Sequence, residues 1–160
     1  MSTCKRYPNN PILFPKSDFY WERKAVFNGC PVKEGKRLRL LYRALSDIKY
    51  NQGAMMNVSS IGMATDWRDG TFHEREQLIK PSEAWDKFGC EDPRVTKFNG
   101  KYYIFYTALS TYPFRPEGIK IGLATTRDFK KIEKHQVTTF NSKAMALFPE
   151  KVNGRSRRMR

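Results

Sequence analysis

Leu-Tyr-Arg-Ala-Leu-Ser at residues 41–46 returns as Phe-Tyr-Thr-Ala-Leu-Ser at residues 105–110, and this repeated stretch decides the predicted fold. A second stretch, Ile-Gly-Met-Ala-Thr at residues 61–65, returns as Ile-Gly-Leu-Ala-Thr at residues 121–125. Units of this length, each with about four short strands, are typical of propeller blades, because one such sheet cannot bury both faces without neighbours. Two similar hairpins in a β-sandwich are the alternative interpretation.

The residue pattern inside each unit predicts strands and turns. The first unit is predicted to contain strands at residues 24–32, 37–44 and 58–65, turns at 33–36 and 66–72, and a loop at 47–57. Nowhere does a 3.6-residue apolar period occur together with helix caps. The chain is therefore predicted to be all-β.

The repeat also predicts a single incomplete β-propeller domain over residues 1–160, of about two and a half blades. Its parts are an N-terminal arm at 1–22, a first repeat at 23–80, a second repeat at 81–140, the start of a third at 141–154 and a basic tail at 155–160. Propellers normally need at least about four blades, so we expect the first half of a longer protein. Open blade edges also favour pairing between copies, which makes a homo-oligomer one expected partner state.

Composition excludes several classes of protein. Of the 160 residues, 39% are hydrophobic and 14% aromatic, which argues against disorder. No run approaches the roughly 20 apolar residues that cross a membrane, and the N-terminus lacks the apolar core of a signal peptide. We therefore predict a cytoplasmic protein without a membrane partner. Three cysteines without Cys-x-x-Cys spacing, Cys4, Cys30 and Cys90, indicate neither a disulfide framework nor a metal site.

The net charge of +14 raises the question of a nucleic-acid partner. The basic residues are spread along the chain, apart from the four arginines of the last six residues. Neither a helix-turn-helix pattern nor an aromatic nucleic-acid-binding signature accompanies them. The tail can bind phosphate backbones or remain a solvated end, and nucleic acid is not the expected partner.

The candidate chemistry lies in Gly-Cys-Glu-Asp-Pro-Arg-Val at residues 89–95. Pro93 disfavours the helical region for Asp92, which predicts that both acids lie on an extended, rigid connection. An acidic turn, with Arg94 paired to one carboxylate, is the simpler interpretation. Polar residues at equivalent places in successive units, Asn28, Glu91, Asp92 and Lys143, are expected either to form one pocket or each to stabilise a turn.

Together these motifs resemble the N-terminal half of glycoside hydrolase family 130, the β-mannoside phosphorylases and their relatives, which are five-bladed β-propellers. The motifs that carry the resemblance are Phe27-Asn28, residues 41–44, Gly-x-Glu-Asp-Pro-Arg at 89–94, residues 121–124 with 127–129, and Leu-Phe-Pro-Glu-Lys at 147–151. They occur in the family's order from about residue 9 to residue 154. Only the arginine tail lies outside the resemblance.

The resemblance implies a role for each matching residue. It makes Asp92 the proton donor, places Asn28 and Arg43 against sugar hydroxyl groups, and assigns phosphate binding to Lys143. Ala144 stands where many members have Asn or Asp, and a second phosphate-binding arginine of the family falls beyond the matched motifs.

Two further residues join the predicted substrate site. Glu91 is expected to accept hydrogen bonds from sugar hydroxyls, and Arg94 is expected to order the acidic pair. Four aromatic side chains could either stack on sugar faces or pack in the core: Trp67, Trp85, Tyr106 and Tyr112.

The implied reaction is inverting transfer of a mannosyl group from a β-mannoside to phosphate, which gives mannose 1-phosphate. A phosphorylase needs only one acid, since phosphate itself attacks the anomeric carbon, whereas hydrolysis normally needs two carboxylates. No cofactor and no metal are expected, with inorganic phosphate as co-substrate. The alternatives are a β-mannoside hydrolase and a catalytically inactive carbohydrate-binding fragment.

Overall fold

The computed structural model describes residues 5–66, 71–152 and 155–159, and within them the chain forms ten strands and no α-helix. The strands are β1 (Ala25–Glu34), β2 (Arg37–Asn51), β3 (Ala54–Asp66), β4 (Phe72–Ile79), β5 (Gly89–Phe98), β6 (Lys101–Leu109), β7 (Ile119–Thr126), β8 (Glu133–Gln136), β9 (Ala146–Val152) and β10 (Arg155–Met159). A single 3₁₀ turn, Pro116–Gly118, precedes β7. The all-β prediction is confirmed.

The strands form two similar antiparallel units. β1 to β4 pair in chain order as the first unit, and β5 to β8 pair in chain order as the second. The units are joined where Ser59 of β3 pairs in parallel with Gly89 of β5. β9 and β10 form a separate two-stranded sheet. This order follows the repeat in the sequence.

The prediction of a loop at residues 47–57 is wrong, because these residues extend the β2–β3 hairpin. Tyr50 pairs with Met55, and Asn51 pairs with Ala54. Gln52 and Gly53 both have positive φ, 50° and 89°, which suits a two-residue hairpin turn. The alternation of residues 47–50 between charged and apolar side chains is a strand pattern that the polar neighbours on the other strand concealed.

The basic tail predicted at residues 155–160 is a strand over most of its length. Arg155–Met159 pairs antiparallel with β9, with Arg155 opposite Val152 and Met159 opposite Ala146. The ladder between strands uses backbone N–H and C=O groups, so a strand can form here from mostly arginine residues. Residue 160 and residues 153–154 lie outside the described residues.

The core is made where one unit packs on the next. Leu41, Ile61 and Met63 of the first unit lie in one buried cluster with Ile104 and Tyr106 of the second. On the opposite face of the first unit, Leu13 and Trp21, which precede β1, pack against Leu40 and Tyr42. Successive residues of a strand point to opposite faces, so each sheet is buried on both sides.

A buried group of four side chains occurs once in each unit. In the first, the Tyr42 hydroxyl donates to Glu22 (2.6 Å), Arg75 pairs with Glu22 (2.7 Å), and Trp21 stacks on Tyr42. In the second, the corresponding residues are Tyr106, Asp86, Lys134 and Trp85. Both carboxylates are fully buried. Buried charges are tolerated only when they are paired and hydrogen-bonded, so each group fixes where the chain enters its unit.

The two tyrosines of these groups lie against glycine. A Cβ atom at Gly62 would be 2.5 Å from Tyr42 Cζ, and one at Gly122 would be 2.3 Å from Tyr106 Cζ. The repeated Ile-Gly-x-Ala-Thr motif is therefore a packing requirement, since the ring occupies the place of the missing side chain.

Among the described residues, no helix is long and apolar enough to cross a membrane. Cys30 and Cys90 are free thiols, and Cys4 lies outside the described residues.

Gly62→Ala is expected to lower the free energy of unfolding by about 1–3 kcal/mol, because the methyl group overlaps buried rings that cannot move away. Urea unfolding followed by tryptophan fluorescence measures the change. Gly29→Ala is the matched control, since its added carbon meets the movable end of the Leu40 side chain. Equal losses in the two variants would contradict the packing role of Gly62.

Candidate active site

Two matched β-bulges bring Asn28 and Asp92 together. The β1–β2 register shifts between Phe27 and Cys30, and the β5–β6 register shifts between Glu91 and Arg94. Asn28 and Asp92 have φ of 52° and 53°, a left-handed conformation that Asn and Asp adopt more readily than most residues. A bulge re-aims the side chain that it carries. The amide of Asn28 consequently donates a hydrogen bond to Asp92 Oδ1 at 2.7 Å.

The prediction of an extended connection holds for β5, the strand that carries both acids, but not for the backbone of Asp92 itself. Pro93 does keep its neighbour out of the right-handed helical region, but Asp92 adopts the left-handed region at the bulge instead. The equivalent residue of the first unit, Asn28, adopts the same conformation with glycine after it rather than proline. The strand pairing therefore determines the left-handed backbone conformation, and Pro93 is merely compatible with it.

Arg43 of β2 holds both acids. Its guanidinium forms an ion pair with Glu91, and its Nη1 lies 3.7 Å from Asp92 Oδ1. Its Nε donates to Ser59 Oγ at 3.0 Å, and its Cζ lies 4.9 Å from the centre of the Phe27 ring. Planar guanidinium groups suit such divided contacts, because their N–H donors point in fixed directions. Arg43 thus links the first unit to the acidic stretch of the second.

Glu91 contacts two protein side chains and also lines the adjoining cavity. It is 6% exposed, pairs with Arg43 and accepts a hydrogen bond from Ser59 Oγ at 3.2 Å. Burial raises the pKa of Glu91, and the nearby charge of Asp92 adds to this effect. The positive charge of Arg43, the Ser59 hydrogen bond and the charge of Lys143 lower the pKa of Glu91 in part. Burial is the largest of these effects.

The two carboxylates have different surroundings. The side chain of Asp92 is 19% exposed, compared with 8% for Glu91. Within the described residues, the contacts of Asp92 with Asn28 and Arg43 both use Oδ1. Its Oδ2 atom is therefore the oxygen available to a ligand. This arrangement can present one carboxyl oxygen to a bound substrate while the other fixes its orientation.

Among the described residues, Arg94 forms no ion pair with Glu91 or Asp92, and its expected role in ordering the acidic pair stays a prediction. Its side chain is exposed, and its guanidinium donates to the carbonyl oxygen of Pro93 at 3.0 Å. Arg43 makes the contacts that were expected of Arg94. The bulge places Arg94 opposite Phe105 of β6, at an exposed position.

Lys143 lies on the segment between β8 and β9. Its side chain is exposed, and its charge reaches Glu91 strongly enough to lower the pKa of that carboxyl group. Its carbonyl oxygen accepts a hydrogen bond from the Thr107 hydroxyl, and Met145 two residues later is buried in a core cluster. The backbone at Lys143 is therefore anchored to the second unit.

A cavity of about 450 Å³ adjoins these residues. Its polar lining comes from Arg43, Asn57, Ser59 and Glu91, and its apolar lining comes from the β2–β3 hairpin and from the segment after β6. This volume falls within the range of about 300–1,000 Å³ that is usual for small-molecule sites. Asp92 is connected to the cavity through Arg43.

Sequence reasoning missed Ser59, which contacts both Arg43 and Glu91. The signal was present, since Ser59 and Ser60 interrupt an otherwise apolar buried stretch of β3. Of the four aromatic candidates for sugar stacking, Trp85 and Tyr106 pack in the core. Tyr112 lines the cavity. Trp67 lies outside the described residues.

A family model for glycoside hydrolase family 130, described as beta-1,4-mannooligosaccharide phosphorylase, matches residues 4–158. The chain belongs to glycoside hydrolase family 130. It is 35% identical over 166 residues to a beta-1,2-mannobiose phosphorylase of Thermoanaerobacter sp. (strain X514), covering 97% of this chain and 53% of that protein. A 1,2-beta-oligomannan phosphorylase of the same organism is 34% identical, with 97% and 52% covered. The chain thus spans about half the length of these relatives.

Solved structures of family members share the fold. The beta-1,2-mannobiose phosphorylase of Listeria innocua, in complex with beta-1,2-mannobiose, superposes with a TM-score of 0.71 at 22% identity, covering 94% of this chain and 56% of that one. A glycosyl hydrolase from Bacteroides ovatus also gives a TM-score of 0.71, at 24% identity, with 95% and 49% covered. These similarities agree with a β-propeller-like fold for this member of family 130.

Glu91→Gln is expected to flatten the pH dependence of stability. Because the pKa of Glu91 is raised by folding, the folded protein binds the Glu91 proton more tightly than the unfolded chain does. Protonated Glu91 therefore stabilises the fold fully at pH values below 4.5, the ordinary pKa of a glutamate. This stabilisation is lost as the pH rises through the higher pKa of the folded state. Unfolding free energies between about pH 4 and pH 8 should therefore decline less in the variant. Glu74→Gln, at an exposed site, is the control, and identical slopes for parent and Glu91→Gln would contradict the assignment.

Proposed function

We propose that the protein is a β-mannoside phosphorylase in which Asp92 is the general acid. The observation that carries the proposal is the junction of the two units. At this junction, Asn28 and Arg43 of the first unit both contact Oδ1 of Asp92 and so fix the orientation of its carboxyl group. The other oxygen, Oδ2, is proposed to face the substrate. Membership of family 130 and the names of the relatives, both mannoside phosphorylases, support the same reaction.

In the proposed reaction, phosphate attacks the anomeric carbon of the mannosyl group from the face opposite the leaving sugar. The bond between that carbon and the glycosidic oxygen breaks, and the proton of Asp92 passes to this oxygen. The products are mannose 1-phosphate with inverted configuration and the shortened sugar. A single acid suffices, because phosphate supplies the nucleophile that a second carboxylate would otherwise generate.

The other site residues position the reactants. Asn28 and Arg43 are proposed to contact the mannosyl hydroxyls, and Glu91 to accept hydrogen bonds from them while it orients Arg43. Lys143 is proposed to attract phosphate, as cationic side chains commonly do. Its anchored backbone supports this role, since pre-positioned groups lose less entropy when a ligand binds. Arg94 is not assigned a substrate contact, since its guanidinium donates to the Pro93 carbonyl, and its effect on the orientation of the acids stays a prediction.

The fold proposed for this chain is part of a five-bladed propeller. The two four-stranded units would be its first two blades, and β9 with β10 would begin a third. The stacking of successive units in one direction supports this, since the same packing repeated would close a ring. Cytoplasmic location, association between copies and the absence of a cofactor stay predictions.

Asp92→Asn is expected to lower phosphorolysis of mannobiose by at least about 10²-fold, because general acid catalysis contributes about that much or more. Release of mannose 1-phosphate by the complete protein measures the effect, with circular dichroism to establish that the variant is folded. Asp18→Asn, at an exposed position of the N-terminal segment, is the matched control and should retain the parent rate. Full turnover by Asp92→Asn would remove the assignment.

Phosphate dependence separates the two enzymatic alternatives. With a β-1,2-linked and a β-1,4-linked mannobiose as substrates, turnover is expected only when phosphate is present, and more rapidly for the β-1,2 linkage named in both relatives. Ion chromatography detects mannose 1-phosphate and free mannose in the same sample. Mannose released equally without phosphate would identify a hydrolase, and binding without turnover would identify a carbohydrate-binding protein.

A further inference from the structure

Thr107 of β6 is a buried polar residue to which the proposed chemistry gives no role. It is 2% exposed, and it occupies the place in the second unit that Arg43 occupies in the first. The strand register agrees with this equivalence, since Arg43 pairs with Phe27 across β1–β2 and Thr107 pairs with Glu91 across β5–β6. In both units the paired residue directly precedes the residue with positive φ at the bulge. A hydroxyl group buried to this extent requires a hydrogen-bond partner.

The side chains at this equivalent place both reach from their own unit toward the next. Arg43 contacts Glu91 and Asp92 at the start of the second unit. Thr107 donates a hydrogen bond to the carbonyl oxygen of Lys143, on the segment that leads into β9. A guanidinium group holds carboxylate side chains in the first case, whereas a hydroxyl group holds the main chain in the second. The Thr107 contact therefore fixes the path of the backbone at Lys143.

The segment around Lys143 is held on both sides of this contact. The Ser142 N–H donates to the Ile119 carbonyl of β7 at 3.1 Å. Met145 is 6% exposed and belongs to the buried cluster that β6 and β7 share with β9. Thr107 supplies the contact at Lys143 itself, so its hydroxyl controls the point from which the lysine side chain extends.

The ammonium group of Lys143 is available to an anion. The side chain is exposed, and within the described part of the chain no carboxylate lies at ion-pair distance from it. Its positive charge nevertheless lowers the pKa of Glu91, which places it on the side of the acids. A long side chain loses less freedom on binding an anion when its backbone is already fixed, so the fixed backbone favours binding.

We propose that Thr107 is a positioning residue for phosphate, whose hydroxyl fixes the main chain at Lys143 and so sets where the ammonium group meets the anion. This inference rests on the proposed function for the identity of the anion. Because Thr107 is buried, it acts through Lys143 and not by contact with a substrate. Loss of the hydroxyl is therefore expected to weaken the binding of phosphate and to leave the binding of the sugar unchanged.

Thr107→Val tests this role, since it removes the hydroxyl at nearly constant volume. Calorimetric titration of inorganic phosphate into the complete protein in the Asp92→Asn background, saturated with β-1,2-mannobiose, measures the affinity without turnover. Affinity for phosphate should fall about three- to ten-fold, the usual effect of one hydrogen bond, while affinity for mannobiose stays within about two-fold. Thr107→Ser, which keeps the hydroxyl, should retain the affinity of the background protein.

Thr126→Val is the matched control. Thr126 is the last residue of β7, is also buried, and its hydroxyl accepts a hydrogen bond from the Phe129 N–H at 2.9 Å, away from Lys143. Its loss should leave both affinities unchanged. Hydrogen exchange of the peptide covering residues 139–146 gives a second measurement, because Thr107→Val should accelerate exchange there and Thr126→Val should not. Thr107→Ala serves in the same assays if circular dichroism shows that Thr107→Val is not folded.

Equal phosphate affinity in the background protein and in Thr107→Val would overturn the positioning role, and phosphate-dependent turnover by the parent would still support the proposed function. Phosphate binding that depends on Thr107, in a parent protein without phosphorolysis, would overturn the function and leave the positioning role intact. A loss of phosphate affinity without faster exchange at residues 139–146, or an equal loss of mannobiose affinity, would show that Thr107 acts elsewhere and would overturn the role. Failure of the background protein to bind phosphate at all would overturn both proposals.

Discussion

The packing of one sheet face on the next unit is the constraint on which the rest of the structure depends. Leu41, Ile61 and Met63 lie in one buried cluster with Ile104 and Tyr106 of the following unit. Each fully buried side chain of this size contributes about 1.5–3 kcal/mol, so the shared cluster outweighs any single polar contact between the units. It sets β5 beside β1 and β2, and the residues of the candidate site meet as a consequence.

Polar contacts between the units add precision to this packing. The amide of Asn28 and the guanidinium of Arg43 both cross from the first unit to Asp92 of the second. Each of these contacts replaces a contact with water, so its net contribution to the free energy of folding is small. The contacts nevertheless exclude alternative placements of a half-buried carboxylate. The apolar cluster brings the units together, and the polar contacts set the orientation of the acid.

Sequence reasoning reached the fold class. The repeat also predicted that Asn28, Glu91 and Asp92 meet, because it places equivalent residues at equivalent points of neighbouring units, whereas Arg43 was implied only by the resemblance to family 130. The structure places these four side chains in mutual contact. Sequence reasoning did not reach the features that depend on register. The extension of the β2–β3 hairpin through Gln52 and Gly53 and the left-handed conformation of Asp92 at the bulge both follow from strand pairing. A shift of one residue reverses the direction of every side chain on a strand, and motif spacing alone does not fix that shift.

The two neighbouring acids illustrate how adjacency in sequence can separate chemical roles. At the bulge, Glu91 is buried and contacts Arg43 and Ser59, whereas Asp92 is more exposed and uses only Oδ1 in its contacts with Asn28 and Arg43. Because burial raises the pKa of Glu91 while Arg43 favours its charged form, its ionisation is tied to the position of Arg43. Arg43 also lies 3.7 Å from Asp92, so one guanidinium links the buried acid to the acid that is proposed to protonate the substrate.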